Sequence, residues 1–257
     1  MSVFSNYARY YDLLYRDKDY AKEAQFIHQL LLTHAPDTAS ILELGCGTGI
    51  HAELLAQEGY SVHGVDISAE MLQQSRLRSS QSPNIKSKLE FTESDIQKFR
   101  INQKFDAIIS LFHVISYQTT NEALQATFAT VTAHLAKGGI FVFDCWYGPA
   151  VLSKLPEVRI KRLEDEQIEI TRIAEPVLHP NDNLVDVHYQ VLIKDKNTGL
   201  VEELREVHKM RYLFKPEIDH YLKQFQMELI EYREWMTDRE PGFDTWGVYF
   251  VVGASKN

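Results

Sequence analysis

Cysteine is scarce in this chain of 257 residues, which contains only Cys46 and Cys145. Two cysteines that lie so far apart cannot provide a disulfide framework, and they lack the short spacing of metal-ligand pairs. The histidines are scattered as well, with no His-x-x-x-His pair near an acid, so we expect no metal site. Free thiols persist in a reducing compartment, and the protein is therefore expected to be cytoplasmic.

Long apolar runs and an excess of positive charge are also missing. No run of about 18 apolar residues occurs, so no membrane-spanning helix is expected. The N-terminus carries early charges and no apolar segment, which argues against a signal peptide. The formal net charge is -9, and no lysine- or arginine-rich run offers a local exception, so nucleic acid is not an expected partner.

The chain does contain a regular alternation of strand-like and helix-like segments up to residue 146. Short apolar runs predict strands over 40–45, 60–66, 89–95, 105–112 and 140–146. Periodicity and capping residues predict helices over 20–35, 51–59, 68–80, and from a Thr119–Glu122 capping box to Gly138-Gly139. This alternation predicts an α/β fold with a doubly wound, mostly parallel, Rossmann-like sheet, and two further strands near the C-terminus bring its strands to seven.

The pattern changes after Trp146. Residues 151–214 are typical of antiparallel strands, with a hairpin connection at 197–199. We interpret this block as an insertion or lid that cannot belong to the parallel sheet. A helix then begins near Pro216, and two strands separated by a polar loop follow it. The predicted organisation is a core over 1–150, the insertion over 151–214, and a C-terminal helix and β-hairpin over 215–257 that complete the sheet.

A glycine loop, in the stretch "ELGCGTG", follows the first predicted strand. Its glycines are Gly45, Gly47 and Gly49, and Ile50 stands where a dinucleotide fingerprint requires a further glycine. No lysine lies nearby, as a P-loop would require. Three glycines at a strand–helix junction allow a ligand to approach the backbone closely. Glu43, just before the loop, disfavours an anionic phosphate and favours a ligand that carries a cation or an amine.

Two further acids stand at the ends of the next strands. Asp66 ends the second strand, where a carboxylate can accept hydrogen bonds from both hydroxyls of a ribose. Asp95 ends the third strand, where a carboxylate can receive an adenine amino group. Taken singly, the glycines could form a tight turn and Asp95 could be a surface acid. Because α/β sheets bind ligands at the carboxyl ends of their strands, the joint pattern favours one shared site.

This layout resembles that of the class I S-adenosylmethionine-dependent methyltransferases. The stretch "ELGCGTG" is similar to their first motif, "GVDIS" to the strand end with the ribose-binding acid, and "SDIQKF" to the adenine-binding strand. The resemblance covers nearly the whole chain, because the last helix and strand pair match that family's antiparallel C-terminal strand. It implies S-adenosylmethionine as cofactor, with contacts at Tyr11, Tyr20, Glu43, Gly45, Cys46, Gly47, Thr48, Gly49, Asp66, Ile67, Met71, Asp95, Ile96 and Leu111.

The tyrosine-rich start narrows the choice of acceptor. Tyrosines stand at positions 7, 10, 11, 15 and 20. They could pack as one face of an amphipathic segment, or they could form a lid whose rings favour a cation and shield it from water. This stretch resembles the front of small-molecule methyltransferases that act on amines and on nucleotide-linked deoxyamino sugars. The antiparallel block and the stretch "DCWYGPAVL" resemble theirs as well, and Tyr11 and Tyr20 are the positions that match.

The stretch "LFHVISYQTTNE" follows the fourth predicted strand, and in this fold that loop faces the transferred methyl group. The sugar N-methyltransferases that the chain resembles often carry a histidine near the end of this stretch. Tyr117 occupies that place here, and His113 stands one turn earlier. His113, Tyr117 and Tyr11 are therefore the candidate catalytic residues, with packed side chains as the alternative. An amine acceptor needs only a weak base, whereas a hydroxyl acceptor needs a better one, such as His113.

Acceptor contacts are expected from the end of the fifth strand and from the insertion. The stretch "EVHKMRYLF" resembles a strand of the sugar methyltransferases in which a histidine and an arginine recur. Arg211 could bind a diphosphate through two hydrogen bonds. The alternatives are solvated charges on a sheet and aromatic rings that close the core. The candidate substrate-binding residues are Trp146, Tyr147, Arg159, His208 and Arg211.

The leading hypothesis is a methyltransferase that acts by in-line displacement on a small-molecule acceptor, with a nucleotide-linked amino sugar preferred. One alternative is N- or O-methylation of a free small amine or another metabolite. Another is a cofactor-binding protein without catalytic activity. The expected partner is the small-molecule acceptor, and a homodimer is the expected form of any self-association.

Overall fold

The computed structural model describes Tyr11 and residues 13–254. The helices are α1 (Tyr20–His34), α2 (Ile50–Gln57), α3 (Ala69–Gln81), α4 (Asn121–His134), α5 (Gly148–Ser153) and α6 (Lys215–Gln224). The strands are β1 (Ser40–Leu44), β2 (Ser61–Asp66), β3 (Leu89–Glu93), β4 (Phe105–Ser110), β5 (Leu135–Tyr147), β6 (Arg159–Glu164), β7 (Ile168–His179), β8 (Leu184–Asp195), β9 (Val201–Leu213), β10 (Met227–Glu234) and β11 (Gly247–Ala254). Within this part of the chain, no helix is both long and apolar enough to span a membrane.

Seven strands form the predicted core sheet, in the order β3-β2-β1-β4-β5-β11-β10. Strands β1 to β5 run parallel to one another, and β11 is antiparallel to both β5 and β10. The predicted doubly wound α/β fold is therefore confirmed. Because successive parallel strands are joined by crossovers over the faces of the sheet, the carboxyl ends of β1 to β4 meet at one edge.

Apolar side chains cover both faces of this sheet. On one face, α4 and α6 pack through Phe128 and Tyr221 onto strand residues such as Phe143. On the other face, α1 and α2 pack through Ile27 and Leu55. Strands that are buried on both faces have continuous apolar sequences. This explains why "IFVFDCW" forms a strand although its residues do not alternate between apolar and polar.

The two ends of α4 differ from the prediction. Thr120, and not Thr119, is the N-cap, and its hydroxyl accepts a hydrogen bond from the backbone N–H of Ala123 at 3.1 Å. The helix ends at His134 and β5 begins at the next residue, so the predicted Gly138-Gly139 stop lies inside the strand. The pairing of β4 with β5 shifts register there, and Gly138 has a φ of 79°. A strand bulge at a residue that adopts positive φ explains the difference.

Strands β6 to β9 form the predicted antiparallel block and pair in chain order. The prediction that this block is separate from the core sheet is wrong. β9 pairs in parallel with the end of β5, through Tyr212 opposite Trp146 and Leu213 opposite Tyr147. This short junction places the block, called the insertion sheet below, beside the carboxyl edge of the core.

The observed N-cap of α4 gives a test with a matched control. The Thr120→Ala variant should lower the free energy of unfolding by about 1 kcal/mol, because the N–H of Ala123 loses its acceptor. The Thr119→Ala variant should change it by less than about 0.5 kcal/mol, because Thr119 does not cap the helix. Urea unfolding followed by circular dichroism measures both values, and equal losses would show that Thr120 does not cap the helix.

Candidate active site

A cavity of about 570 Å³ lies between the carboxyl edge of the core and the insertion sheet. Its size falls within the range of roughly 300–1,000 Å³ that small-molecule sites occupy. The loops after β1 to β4 form one end, and residues of the insertion sheet form the other. The lining residues are Tyr11, Tyr15, Tyr20, Gly45, Cys46, Gly47, Thr48, Ile50, His51, Asp66, Ile67, Met71, Asp95, Ile96, Gln97, Leu111, Phe112, His113, Val114, Tyr117, Gln118, Trp146, Arg159, Tyr189, His208 and Met210.

The glycine loop between β1 and α2 needs its glycines for two different reasons. Gly45 and Gly49 have φ values of 80° and 75°, and a Cβ on them would lie 2.6 Å from Val114 and 2.8 Å from Ser75, respectively. Gly47 has a φ of 54°, but no atom lies within 4 Å of the place where its Cβ would stand. The backbone at Gly47 is therefore open to the cavity, as a ligand that approaches the main chain requires.

Asp66 connects the glycine loop with the start of α3. Its carboxylate accepts hydrogen bonds from the backbone N–H of Gly47 at 2.8 Å and of Ser68 at 2.9 Å. Burial raises the pKa of Asp66, and these backbone hydrogen bonds oppose the rise. At the end of the next strand, Asp95 accepts a hydrogen bond from the N–H of Gln97 at 2.9 Å. Both acids line the cavity from neighbouring strand ends.

Glu43 lies beneath the loop and is almost completely buried. Among the described residues, its Oε2 atom has no hydrogen-bond partner. Burial and, to a smaller extent, the nearby Asp66 carboxylate raise the pKa of Glu43 to about 8. A buried carboxylate without a compensating charge is costly, so this site favours a cationic ligand group that supplies the missing partner.

The base nearest to Glu43 is His51, which is already paired with another acid. Nδ1 of His51 lies 3.9 Å from Glu43, while Nε2 lies 2.8 Å from Glu23. Although burial alone would raise it, hydrogen bonds from His51 and Lys18 lower the pKa of Glu23 to about 2. Since Glu23 takes the short contact with His51, that histidine does not neutralise Glu43.

His113 lines the cavity from the loop after β4, in an unusual backbone conformation. Phe112 and His113 have φ values of 64° and 63°, a region that residues other than glycine seldom adopt. The backbone N–H of His113 donates to both carboxylate oxygens of the buried Asp144, at 3.1 Å each. Nδ1 of the ring lies 2.7 Å from Oδ2 of the same carboxylate. Asp144 thus holds the main chain of His113 through hydrogen bonds, and its carboxylate also stands close to the ring.

Tyr117 joins the core to the insertion sheet across the cavity. Its hydroxyl lies 2.7 Å from Nδ1 of His208, which is a buried residue of β9. Burial raises the pKa of Tyr117 well above its usual value, with the nearby Tyr15 as a further cause. The side chain is therefore a neutral phenol near pH 7.

Aromatic rings form a wall on the N-terminal side of the cavity. Tyr11 packs on Tyr15 with 4.7 Å between ring centroids, and Tyr15 meets Phe112 edge-on at 5.0 Å. Tyr20 lies edge-on to His51 at 5.0 Å. Arg172 of the insertion sheet donates to the hydroxyl of Tyr15 at 3.1 Å. The predicted tyrosine-rich segment thus lies at the cavity, while Tyr7 and Tyr10 are outside the described residues.

The structure brings most of the predicted site residues together. All the predicted cofactor and catalytic residues line the cavity except Glu43 and Gly49, which lie behind the lining. Trp146, Arg159 and His208 line the acceptor end.

Two predicted substrate residues are elsewhere. Tyr147 packs against Tyr232 in the core, with 6.1 Å between ring centroids. Arg211 donates to Asn121 at 2.7 Å and forms an ion pair with Glu217, so its guanidinium is engaged outside the cavity lining. The expectation that these two residues contact the acceptor is corrected, because their side chains are committed to contacts within the protein.

Several residues at the site have no counterpart in the sequence prediction, including Asp144, Tyr189 and Glu206. Two of them leave a signal in the sequence. Asp144 is a charged residue in the middle of an apolar strand, "FVFDCW". Glu206 stands two residues before His208 and therefore lies on the same face of β9. A carboxylate on a face that points inward needs a hydrogen-bonding partner.

Comparison with known proteins identifies the class. Residues 41–139 match the family model described as a methyltransferase domain. The chain is 30% identical over 216 residues to the dTDP-3-amino-3,4,6-trideoxy-alpha-D-glucopyranose N,N-dimethyltransferase of Streptomyces venezuelae, a match that covers 83% of this chain and 86% of that protein. It is 27% identical over 202 residues to the dTDP-3-amino-3,6-dideoxy-alpha-D-glucopyranose N,N-dimethyltransferase of Streptomyces fradiae, covering 78% and 76%.

Solved structures agree with this result. A S-adenosylmethionine-dependent methyltransferase from Clostridium acetobutylicum matches with a TM-score of 0.83 and 25% identity, over 97% of this chain and 98% of that one. DesVI of Streptomyces venezuelae matches with a TM-score of 0.80 and 27% identity, over the same shares. The chain belongs to the S-adenosylmethionine-dependent methyltransferases. Within that class it is similar to enzymes named for the N-methylation of amino sugars, and an enzyme is favoured over a protein without catalytic activity.

The residues at the core end of the cavity fit S-adenosylmethionine. The backbone at Gly47 is open to the cavity, and the carboxylates of Asp66 and Asp95 line it from adjacent strand ends. The uncompensated Glu43 carboxylate suits a ligand that carries positive charge. The site thus combines an uncharged loop with three acids. It suits a nucleoside that carries positive charge, whereas the acids would repel the phosphates of a dinucleotide.

The raised pKa of Glu43 predicts how stability depends on pH. The pKa of about 8 in the folded protein lies above the ordinary pKa of 4.5 for a glutamate side chain. The contribution of Glu43 to stability is therefore fully present below about pH 4.5 and is lost as the pH rises towards 8. Without cofactor, the wild type should lose stability relative to the Glu43→Gln variant between pH 5 and pH 8.

Urea unfolding of both proteins at several pH values measures this difference, and the contributions of all other groups cancel in the comparison. Parallel stability curves for the two proteins would show that Glu43 does not titrate in this range.

Proposed function

We propose that this methyltransferase transfers a methyl group to the amino group of a nucleotide-linked amino sugar. The observation that carries the proposal is one continuous cavity that joins the glycine loop to an acceptor end built by the insertion sheet. The match with DesVI extends over 97% of this chain, so it includes the insertion sheet. Two relatives, from Streptomyces venezuelae and Streptomyces fradiae, are named for nucleotide-linked amino sugars.

The core end of the cavity would hold the cofactor. Asp66 would accept hydrogen bonds from the ribose hydroxyls, and Asp95 would accept one from the adenine amino group. Glu43 would provide the counter-charge for the amino group of the methionine part. When bound, S-adenosylmethionine supplies a methyl group on a positively charged sulfur, which needs no further activation. The remaining predicted contacts are Tyr11, Tyr20, Gly45, Cys46, Gly47, Thr48, Gly49, Ile67, Met71, Ile96 and Leu111.

The protein contributes to the reaction by positioning the acceptor and by excluding water from the cavity. The ring wall of Tyr11, Tyr15, Tyr20 and Phe112 excludes water, and its π-faces tolerate positive charge. Tyr117 approaches the acceptor from the loop after β4. Holding the acceptor nitrogen in line with the transferred methyl group removes most of the entropic cost of the reaction.

The acceptor end supports an anionic, sugar-like ligand. Arg159 is exposed and lines the cavity, and it is the one arginine or lysine there among the described residues. Its guanidinium would bind the diphosphate. Trp146 lines the same end and offers a ring on which a sugar or base could stack.

A second candidate function is O-methyl transfer, and the pairing of His113 with Asp144 favours it. A histidine whose ring nitrogen lies 2.7 Å from a buried carboxylate has the arrangement of a general base. A hydroxyl acceptor must lose its proton during attack, so it would need such a base, whereas an amine that arrives neutral would not.

We further propose the domain organisation given by the sequence, with a core over 1–150, an insertion over 151–214 and a C-terminal unit over 215–257. Location in the cytoplasm agrees with the free, buried thiols of Cys46 and Cys145. A homodimer is supported by the exposed apolar side chains of Leu155, Val158 and Phe243.

The acceptor class can be tested by mass spectrometry of the products. The protein is incubated with S-adenosylmethionine and nucleotide-linked amino sugars, matched neutral nucleotide sugars, or free small amines in separate reactions. The proposal expects a mass gain of one or two methyl groups on the amino sugar, located on nitrogen by fragmentation. Methylation of the neutral sugar instead would support O-transfer through His113. Product only from the free amines would contradict the nucleotide-linked acceptor.

Arg159 offers a separate test of the diphosphate contact. The Arg159→Met variant should raise KM for the nucleotide-linked acceptor about 10- to 100-fold, because a charge-assisted hydrogen bond contributes about 1.5–3 kcal/mol. The kcat value should change little, because Arg159 acts on binding. The Arg162→Met variant is the control, since Arg162 is exposed on the same strand outside the cavity. Equal KM values for both variants and the wild type would exclude Arg159 as the diphosphate ligand.

A further inference from the structure

Glu206 is an acid on the inward face of a strand. Alternate residues of a strand share a face, so Glu206, His208 and Met210 of β9 point to the same side. His208 and Met210 line the cavity. The side chains of Glu206 and His208 are only 8% and 5% exposed, respectively. A carboxylate held this far from water requires a partner that stabilises its charge.

That partner is His208, and His208 in turn contacts Tyr117. Nε2 of His208 lies 3.2 Å from Oε2 of Glu206, and Nδ1 lies 2.7 Å from the Tyr117 hydroxyl. The ring of Tyr189 packs edge-on against His208 at 4.8 Å between centroids, which fixes the plane of the imidazole. A continuous row of hydrogen-bonding groups therefore runs from Glu206 to Tyr117 at the cavity.

The carboxylate decides which nitrogen of His208 carries the proton. An ionised carboxylate only accepts hydrogen bonds, so the contact with Glu206 requires a proton on Nε2. Nδ1 of the neutral ring then carries a lone pair, and the Tyr117 hydroxyl donates to it. With the other tautomer, a lone pair on Nε2 would face the carboxylate oxygens, which is repulsive. Glu206 thus sets the direction of both hydrogen bonds.

We propose that Glu206 is a positioning residue for methyl transfer, which holds His208 ready to receive the acceptor's ammonium proton through the hydroxyl of Tyr117. The inference rests on the proposed function, because only an acceptor with an amino group brings such a proton. The imidazole comes from β9, and Tyr117 connects it to the cavity.

The proton transfer balances without any further reactant. An N–H bond of the ammonium group breaks, and its proton binds the phenol oxygen of Tyr117. The original O–H bond of Tyr117 breaks at the same time, and that proton binds Nδ1 of His208. The acceptor nitrogen regains its lone pair, Tyr117 stays neutral, and His208 becomes an imidazolium next to the Glu206 carboxylate. His208 releases the proton to solvent after the product leaves.

Other titratable and charged groups surround this row of residues, and all of them enter the pH dependence. Tyr15, Tyr189, Glu206 and Asp66 act on Tyr117 from the N-terminal segment, from β8, from β9 and from the end of β2. Arg172 of β7 and Arg159 of β6 act on Tyr189. Of the charged groups, Glu206 and Asp66 act on Tyr117, and Arg159 and Arg172 act on the neighbouring Tyr189. Glu206 is the acid in contact with His208, whereas Asp66 acts from a distance.

The test compares pH profiles of kcat/KM for an amino-sugar acceptor. The Glu206→Gln variant should lose about 10- to 100-fold at pH 6.5, where the acceptor arrives protonated and must transfer its proton. It should approach the wild-type value at pH 9, where the acceptor arrives neutral. The Glu203→Gln variant is the matched control, because Glu203 is an exposed acid on the same strand that bonds to Gln190 and Arg205. A loss of the same size at every pH would indicate a merely structural role and would overturn the proposal.

Tyr117→Phe provides a second variant that keeps the ring but removes the hydroxyl. Its kcat/KM should depend on pH as steeply as that of Glu206→Gln. The double variant should have a kcat/KM no lower than that of either single variant, because both substitutions interrupt the same proton transfer. Additive losses would contradict a shared role.

The tautomer of His208 can be measured without cofactor or acceptor. Nitrogen-15 NMR of the histidine ring at pH 8 should show the proton on Nε2 in the wild type and in Glu203→Gln. In Glu206→Gln, the side-chain amide can donate to Nε2, and the population should shift towards the Nδ1–H form. An unchanged tautomer in Glu206→Gln would refute the positioning role.

These measurements separate the inference from the proposed function. If the wild type methylates no nucleotide-linked amino sugar but does methylate another amine, the proposed function fails, and the pH profiles with that amine still decide the role of Glu206. If the wild type methylates only hydroxyl groups, no ammonium proton exists and the inference falls as well. The NMR result does not depend on either outcome.

Discussion

The carboxylate of Asp66 is the interaction on which the cofactor end of the site depends. It accepts hydrogen bonds from the N–H groups of Gly47 and Ser68, which belong to the glycine loop and to the N-cap of α3. One side chain therefore fixes the loop after β1 and the loop after β2 relative to each other. This arrangement buries the carboxylate of Asp66, and the hydrogen bonds from the two backbone N–H groups only partly offset the cost of burying its charge. The same charge also raises the pKa of Glu43. A cationic ligand completes this balance, so the loop geometry and the preference for a cation have the same origin.

The parts of the structure that depend on local sequence are well predicted. Glycine spacing and strand-terminal acids act through neighbours in the chain, and both lie where the sequence indicated. Apart from α4 and β5, the predicted core elements agree with the structure to within two residues at each end. The difference at α4 is local as well, since Thr119 and Thr120 are equally good caps by composition and only the helix geometry selects Thr120.

Contacts between distant parts of the chain are poorly predicted, and the acceptor end of the site consists of such contacts. The chemistry of Tyr117 depends on His208, 91 residues further along the chain. Arg211 has the residue type that binds a diphosphate, but Asn121, 90 residues away, and Glu217 engage it instead. Residue type suggests what a side chain can do, whereas the partner that the fold supplies decides whether it is available. Asp144 is the opposite case, a residue whose role the sequence does not suggest. Its hydrogen bond with His113 exists only because the fold places β5 beside the loop after β4.

The narrow junction between β5 and β9 has a consequence for how such an enzyme can diversify. The strand pairing between the insertion sheet and the core is limited to two residue pairs, whereas the strands of each sheet pair with their own neighbours over longer stretches. Substitutions, or changes in strand length, within β6 to β9 can therefore leave the register of β1 to β5 intact. The insertion sheet is in this sense a module that can change while the core sheet stays the same. Its side of the cavity can be reshaped without rebuilding the loops after β1 to β4.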